Sequence, residues 1–159
     1  MKSSMIARRG LAALAIAAPL AFVPAAARAG DIAGLWLVEA KDAVIDIAPC
    51  GERLCGAVVW LKEPRPNGQV RLDDKNPDPA LRARPVCGLR LLYDFKASGE
   101  NEWEDGHIYS ADEGATYAAK MALLDANTLK VRGFVGISLF GKSQVWTRAA
   151  ADTPRCATA

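Results

Sequence analysis

Histidine is almost missing from this chain of 159 residues: His107 stands alone. A serine or cysteine hydrolase needs a base beside its nucleophile, and no Gly-x-Ser-x-Gly turn is present to present one, so that chemistry has no evident residues. Zinc fares no better. The cysteines Cys50, Cys55, Cys87 and Cys156 lack paired Cys-x-x-Cys units, and a single histidine cannot complete a ligand set. Helical periodicity is scarce after residue 30, which argues against a bundle. No uninterrupted apolar run reaches the roughly 20 residues of a membrane helix, and the longest, near the N-terminus, is broken by Pro19 and Pro24. The chain is therefore expected to be no enzyme and to carry no metal, no cofactor and no membrane span in its mature part.

The broken apolar run has its own meaning. Lys2, Arg8 and Arg9 precede it, it extends from Leu11 to Val23, and Ala27-Arg28-Ala29 offers the small-x-small pattern that a signal peptidase cuts. Residues 1–29 thus read as a signal peptide, with cleavage near Ala29/Gly30 and a periplasmic or secreted product. No cysteine follows the cut, so a lipid anchor is not expected, and Arg8-Arg9 leaves general and twin-arginine export both open. Residues 30–159 are the right size for one domain. The signal also owns the chain's apparent basicity: without Lys2, Arg8, Arg9 and Arg28, 16 basic residues face 18 acidic ones. No Lys/Arg cluster marks a nucleic-acid surface, and no nucleic-acid partner is expected.

An even number of cysteines in an oxidising compartment implies disulfides, with three possible connectivities. Cys50 and Cys55 flank a four-residue segment, and in a hairpin such positions face each other at bridging distance. That pairing is favoured, leaving Cys87 with Cys156. Chain entropy assigns roughly 2 kcal/mol to the short bridge and about 4 to the long one.

What fills the chain is strand pattern. Runs rich in β-branched and aromatic residues, punctuated by Gly, Asp and Asn, predict strands near 34–39, 43–48, 55–62, 88–96, 102–110, 115–124, 128–135 and 142–149. Alternation places Leu89, Leu91, Tyr93 and Phe95 on one face of the fourth, and Tyr117, Ala119, Met121 and Leu123 on one face of the sixth. In the third, Val58 and Trp60 compete with Val59 and Leu61 for the interior. Residues 63–87 are different: prolines at 64, 66, 77, 79 and 85 exclude strands, while Asp78-Pro79 is a helix start, predicting one or two turns over Ala80–Arg84. Such a loop serves as a lid or as a plug. About eight sequential antiparallel strands remove their edges by closing into an up-and-down barrel, with a sandwich as the alternative.

Gly34-Leu35-Trp36 is similar to the Gly-x-Trp opening of lipocalins, whose tryptophan closes the barrel base beneath a late basic residue, here Arg148. Further motifs join it: Pro49-Cys50-Gly51 with Leu54-Cys55-Gly56, Asp74-Lys75-Asn76-Pro77, Trp103-x-x-Gly106-x-Ile108-Tyr109, Leu129 through Gly136, and Gly141-x-x-Gln144-x-Trp146-Thr147-Arg148. Together they resemble the exported bacterial family known as domain of unknown function 2147, from Gly34 to Arg148. The resemblance implies a lipocalin-like barrel and no activity.

Candidate chemistry is sparse. Glu102, Glu104 and Asp105 cluster, but neighbouring strand positions point to opposite faces. Asp74-x-Asn76-x-Asp78 has the opening rhythm of a calcium loop, yet Pro79 and Pro85 stand where its glycine and final glutamate belong, so turn and capping hydrogen bonds are the better reading. Arg132 interrupts an otherwise apolar strand. Inward, it would anchor a carboxylate or phosphate with Tyr117 and Tyr109 as hydroxyl partners; outward, it is ordinary surface. The expected function is binding of a small apolar or anionic amphipathic molecule, the alternative a dry-cored envelope module that contacts proteins. Interior volume separates the two.

Overall fold

A computed structural model describes residues 32–156. The signal-peptide reading of residues 1–29 lies outside them. Eight strands, β1 (Gly34–Leu37), β2 (Ala43–Cys50), β3 (Arg53–Leu61), β4 (Arg90–Gly99), β5 (Glu102–Ser110), β6 (Ala115–Asp125), β7 (Thr128–Phe134) and β8 (Gly141–Arg148), form a closed antiparallel barrel in sequence order. Every strand pairs with its chain neighbour, and β8 returns to β1 through Trp36 opposite Arg148 and Leu37 opposite Thr147. The barrel is thus the expected up-and-down barrel, not a sandwich. The turns at 51–52, 100–101 and 126–127 gather at one end; the connections 38–42, 62–89, 111–114 and 135–140 gather at the other.

The first end is shut as the lipocalin-like motif implied. Trp36 is buried and its Nε1 donates to Ile32 O at 2.8 Å, while the Arg148 guanidinium carbon lies 3.9 Å from the Trp36 ring centroid and Nη1 donates to Ala33 O at 2.8 Å. That contact is worth about 1 kcal/mol beyond packing. Above it Ile47, Leu54, Leu92, Phe95, Trp103, Met121 and Leu129 fill the lower interior, each contributing roughly 1.5–3 kcal/mol by leaving water. Gly106 belongs to this floor, because a Cβ there would overlap the Phe95 ring.

One expected facing is corrected and one open choice is resolved. In β4, Leu92 and Phe95 are both fully buried while Leu91 and Tyr93 are half-buried, because the register against β3 slips twice, once between Arg90 and Leu92 and once between Leu92 and Phe95, where Asp94 adopts φ +61°. In β3, Val58 pairs with Ile45 and Trp60 with Val44, so Val59 is an extra residue and Val58 and Leu61 are both buried. The sixth strand keeps strict alternation, with Ala119 and Met121 buried.

The proline-rich connection contains short 3-10 turns at Pro66–Gly68 and Pro79–Leu81, and Asp78 caps the second by accepting from Ala80 N–H at 2.9 Å. Asn76 Oδ1 accepts from Asp78 N–H, so the Asp/Asn rhythm serves turn and capping bonds. No helix among the described residues is long and apolar enough to cross a membrane. Both expected disulfides are present: Cys50 with Cys55 (Cα separation 5.8 Å) and Cys87 with Cys156 (6.2 Å). The second ties the end of the long connection to the C-terminal tail, where Cys156 N–H also bonds Val59 O at 2.7 Å. Replacing both Cys87 and Cys156 by serine should cost about 4 kcal/mol, against about 2 for the Cys50/Cys55 pair, read as the two variants' urea midpoints.

Candidate functional site

The upper barrel is hollow. A cavity of about 460 Å³ opens at the end that bears the long connections, within the size range of small-molecule sites. Ile45, Val58, Leu61, Ile108, Val131 and Trp146 supply its apolar wall. The space exists because small residues line it where large ones line the floor: Ala43, Ala111 and Gly133 all border it. Gly133 matters most, since a Cβ there would already lie 3.3 Å from Ile108 Cγ2.

Polar groups ring the mouth. Arg71 is neutralised by Asp112 at 2.6 Å, and Tyr117 donates to Glu113 Oε2 at 2.6 Å, a bond that raises the tyrosine's pKa. Gln144, which borders the cavity, accepts from the indole of Trp146 through Oε1 at 2.8 Å. Lys142 sits directly opposite Gly133 in the β7–β8 pairing, borders the cavity, and has no hydrogen bond or ion pair among the described residues. An apolar cup with an unneutralised ammonium at its lip suits a molecule with a greasy body and an anionic end.

One side of the mouth is formed by the proline-rich connection, and a buried carboxylate holds it there. Asp73 is fully buried; its Oδ1 accepts from the Tyr109 hydroxyl at 2.5 Å, and its Oδ2 accepts from Asn76 Nδ2 and from Arg84 Nε, both at 2.8 Å. Burial alone would push the Asp73 carboxyl up, but the bonds from Tyr109, Asn76 and Arg84 and the arginine's charge outweigh it and hold it below the ordinary range. Tyr109 moves oppositely, raised by burial and by its bond to Asp73. Lys75 Nζ adds a bond to Asp112 O at 2.7 Å, fastening the connection to the β5–β6 turn.

The three expected ligand residues do not converge. Tyr117 stands at the rim and Tyr109 borders the cavity, but the Tyr109 hydroxyl is committed to Asp73. Arg132 does not border the cavity: its neighbours Val131 and Gly133 do, and its guanidinium donates to Ser138 O at 2.7 Å, Leu139 O at 3.2 Å and Ser143 Oγ at 2.9 Å. Arg132 therefore takes the outward of its two expected orientations, and the basic residue of β8 that borders the cavity is Lys142. Period two along β8, from buried Trp146 through Gln144 to Lys142, was the available signal.

A family model described as an uncharacterized protein conserved in bacteria (DUF2147) matches residues 34–148. The chain belongs to that family. The structure of this DUF2147 protein is similar to that of a Helicobacter pylori protein, described as "Protein HP1028 from the human pathogen Helicobacter pylori belongs to the lipocalin family", with a TM-score of 0.67 and 18% identity over 75% of this chain and 83% of that one. At that identity the likeness concerns the fold. No curated protein matches this DUF2147 chain.

Removing the carboxylate strands three donors, so Asp73→Ala should cost about 3 kcal/mol and open residues 63–84 to protease. Because the folded Asp73 pKa is depressed, its contribution is complete above the unfolded value of about 4 and is lost progressively as pH falls from there through the folded pKa. Urea midpoints at pH 5 and pH 3 should show a larger drop for the wild type than for Asp73→Asn.

Proposed function

We propose that this barrel is an exported, non-enzymatic container that binds one small apolar or anionic amphipathic molecule, its body in the cup and its polar end at Lys142 and Gln144. The observation that carries the reading is the half-hollow interior: a packed floor from Trp36 to Leu129 beneath an apolar cavity of about 460 Å³. Evenly filled walls would favour a dry-cored module, and the small residues at 43, 111 and 133 oppose that alternative. The lipocalin description of the Helicobacter pylori neighbour supports a container, and two disulfides together with the signal-like start support action in the periplasm or outside the cell.

Protein purified from its own periplasm should retain a co-purified lipid or lipid-like adduct in native mass spectra. After delipidation, the neutral probe N-phenyl-1-naphthylamine should bind with one-to-one stoichiometry and be displaced by long-chain carboxylates. Gly133→Phe should weaken probe binding about tenfold or more while preserving the strand signal in circular dichroism. Lys142→Met should weaken the carboxylates and spare the neutral probe. No adduct, no probe binding and an indifferent Gly133→Phe would overturn the proposal.

A further inference from the structure

The β7–β8 connection displays an apolar tip that the cup does not explain. Val135, Ile137, Leu139 and Phe140 are 68%, 59%, 74% and 70% exposed, and all belong to the turn at the cavity mouth. Val135 and Phe140 border the cavity, but Ile137 and Leu139 do not, so contact with a molecule in the cup leaves half of the tip unaccounted for. The tip is also held in this shape. Arg132 fastens the carbonyls of Ser138 and Leu139, Val135 N–H bonds Phe140 O at 3.3 Å and Phe140 N–H bonds Ile137 O at 3.0 Å, a built turn with its apolar side chains displayed.

The strands that carry the tip are cationic at that end: Arg132 and Lys142 flank it and Lys120 pairs with Arg132, whereas Asp125, Lys130 and Arg148 lie toward the closed end of the barrel. Lys120 and Arg132 are direct cross-strand partners, a like-charge pairing that destabilises a sheet unless an anion relieves it. The carboxylate that reaches β8 from elsewhere is Glu39, which accepts from Val145 N–H across the seam with β1. The acids of the mouth, Asp42, Asp112 and Glu113, belong to its other connections. An exposed aliphatic and aromatic tip set in a cationic sector complements an anionic lipid surface, where the apolar groups enter the acyl boundary and the cations meet phosphates.

We infer that the 135–140 tip docks this protein on an anionic phospholipid bilayer, with Ile137 and Leu139 inserted and the cavity mouth turned toward the membrane. Docking in this pose lets an amphipathic molecule pass between bilayer and cup without crossing water, and in that respect it rests on the container reading; the docking itself does not.

The test is co-sedimentation of the full exported chain with phosphatidylcholine vesicles, with and without phosphatidylglycerol. Binding should require phosphatidylglycerol and weaken as salt is raised. Leu139→Asp and Ile137→Asp should each weaken it about tenfold or more, the consequence of losing one buried aliphatic side chain. Leu139→Gln serves where the charged variant fails to fold. N-phenyl-1-naphthylamine binding, measured on the same samples, should be unchanged, because neither residue borders the cavity. Vesicle binding without probe binding would defeat the container reading and keep the docking. Probe binding without vesicle binding, equal binding by wild type and tip variants, or a concentration-dependent dimer that the tip variants dissolve would overturn the docking.

Discussion

Two residue pairs join the first strand to the last, and the barrel exists because of them. Trp36 opposite Arg148 and Leu37 opposite Thr147 are the whole β1–β8 register, a short seam compared with the seven pairs between β7 and β8. Arg148 compensates for the seam's brevity by covering the Trp36 ring and reaching back to Ala33 O, while Ala149 N–H bonds Leu35 O just beyond the strand. Closure leaves no free sheet edge and creates an inside. The same residues also seal the bottom of that inside, so one cation-aromatic contact both completes the wall and lays the floor.

From that floor upward the interior changes character within a single sheet. Large side chains interdigitate from Trp36 to Leu129, and then Ala43, Ala111 and Gly133 leave room above them. The mouth of this space is framed by connections fixed in unlike ways. On one side Asp73, Asn76, Tyr109 and Arg84 clamp the proline-rich segment with the Cys87–Cys156 bridge at its end; on the other Arg132 staples the apolar tip. A rim built this way presents the cavity preformed, which lowers the ordering cost that binding would otherwise incur.

Strand positions were legible because every strand pairs with its chain neighbour, so alternation and turn residues carry nearly all the topology; the expected boundaries fall within three residues of those observed. Facing was less legible. The irregularities of β4 against β3 near Asp94 and of β3 against β2 at Val59 each insert one residue, and a single insertion inverts every later side chain without changing composition. Arg132 illustrates the same limit, since its side is set by pairing with Lys120 and Ser143 and not by its own neighbours. The closing contact of Trp36 with Arg148 came from a family motif. The Asp73 clamp had no local signal at all, because its hydroxyl donor lies 36 residues away on another element.

The central claim is that the upper barrel receives a molecule and the lower barrel does not. Methyl-resolved NMR of the delipidated protein during titration with a long-chain carboxylate tests it directly. The account predicts that shifts concentrate at the methyls of Ile45, Val58, Ile108 and Val131, with Ile47, Leu54 and Leu129 on the floor nearly still. Shifts confined to outer-wall methyls such as Leu124 and Val145, with the cavity methyls unmoved at saturation, would contradict it.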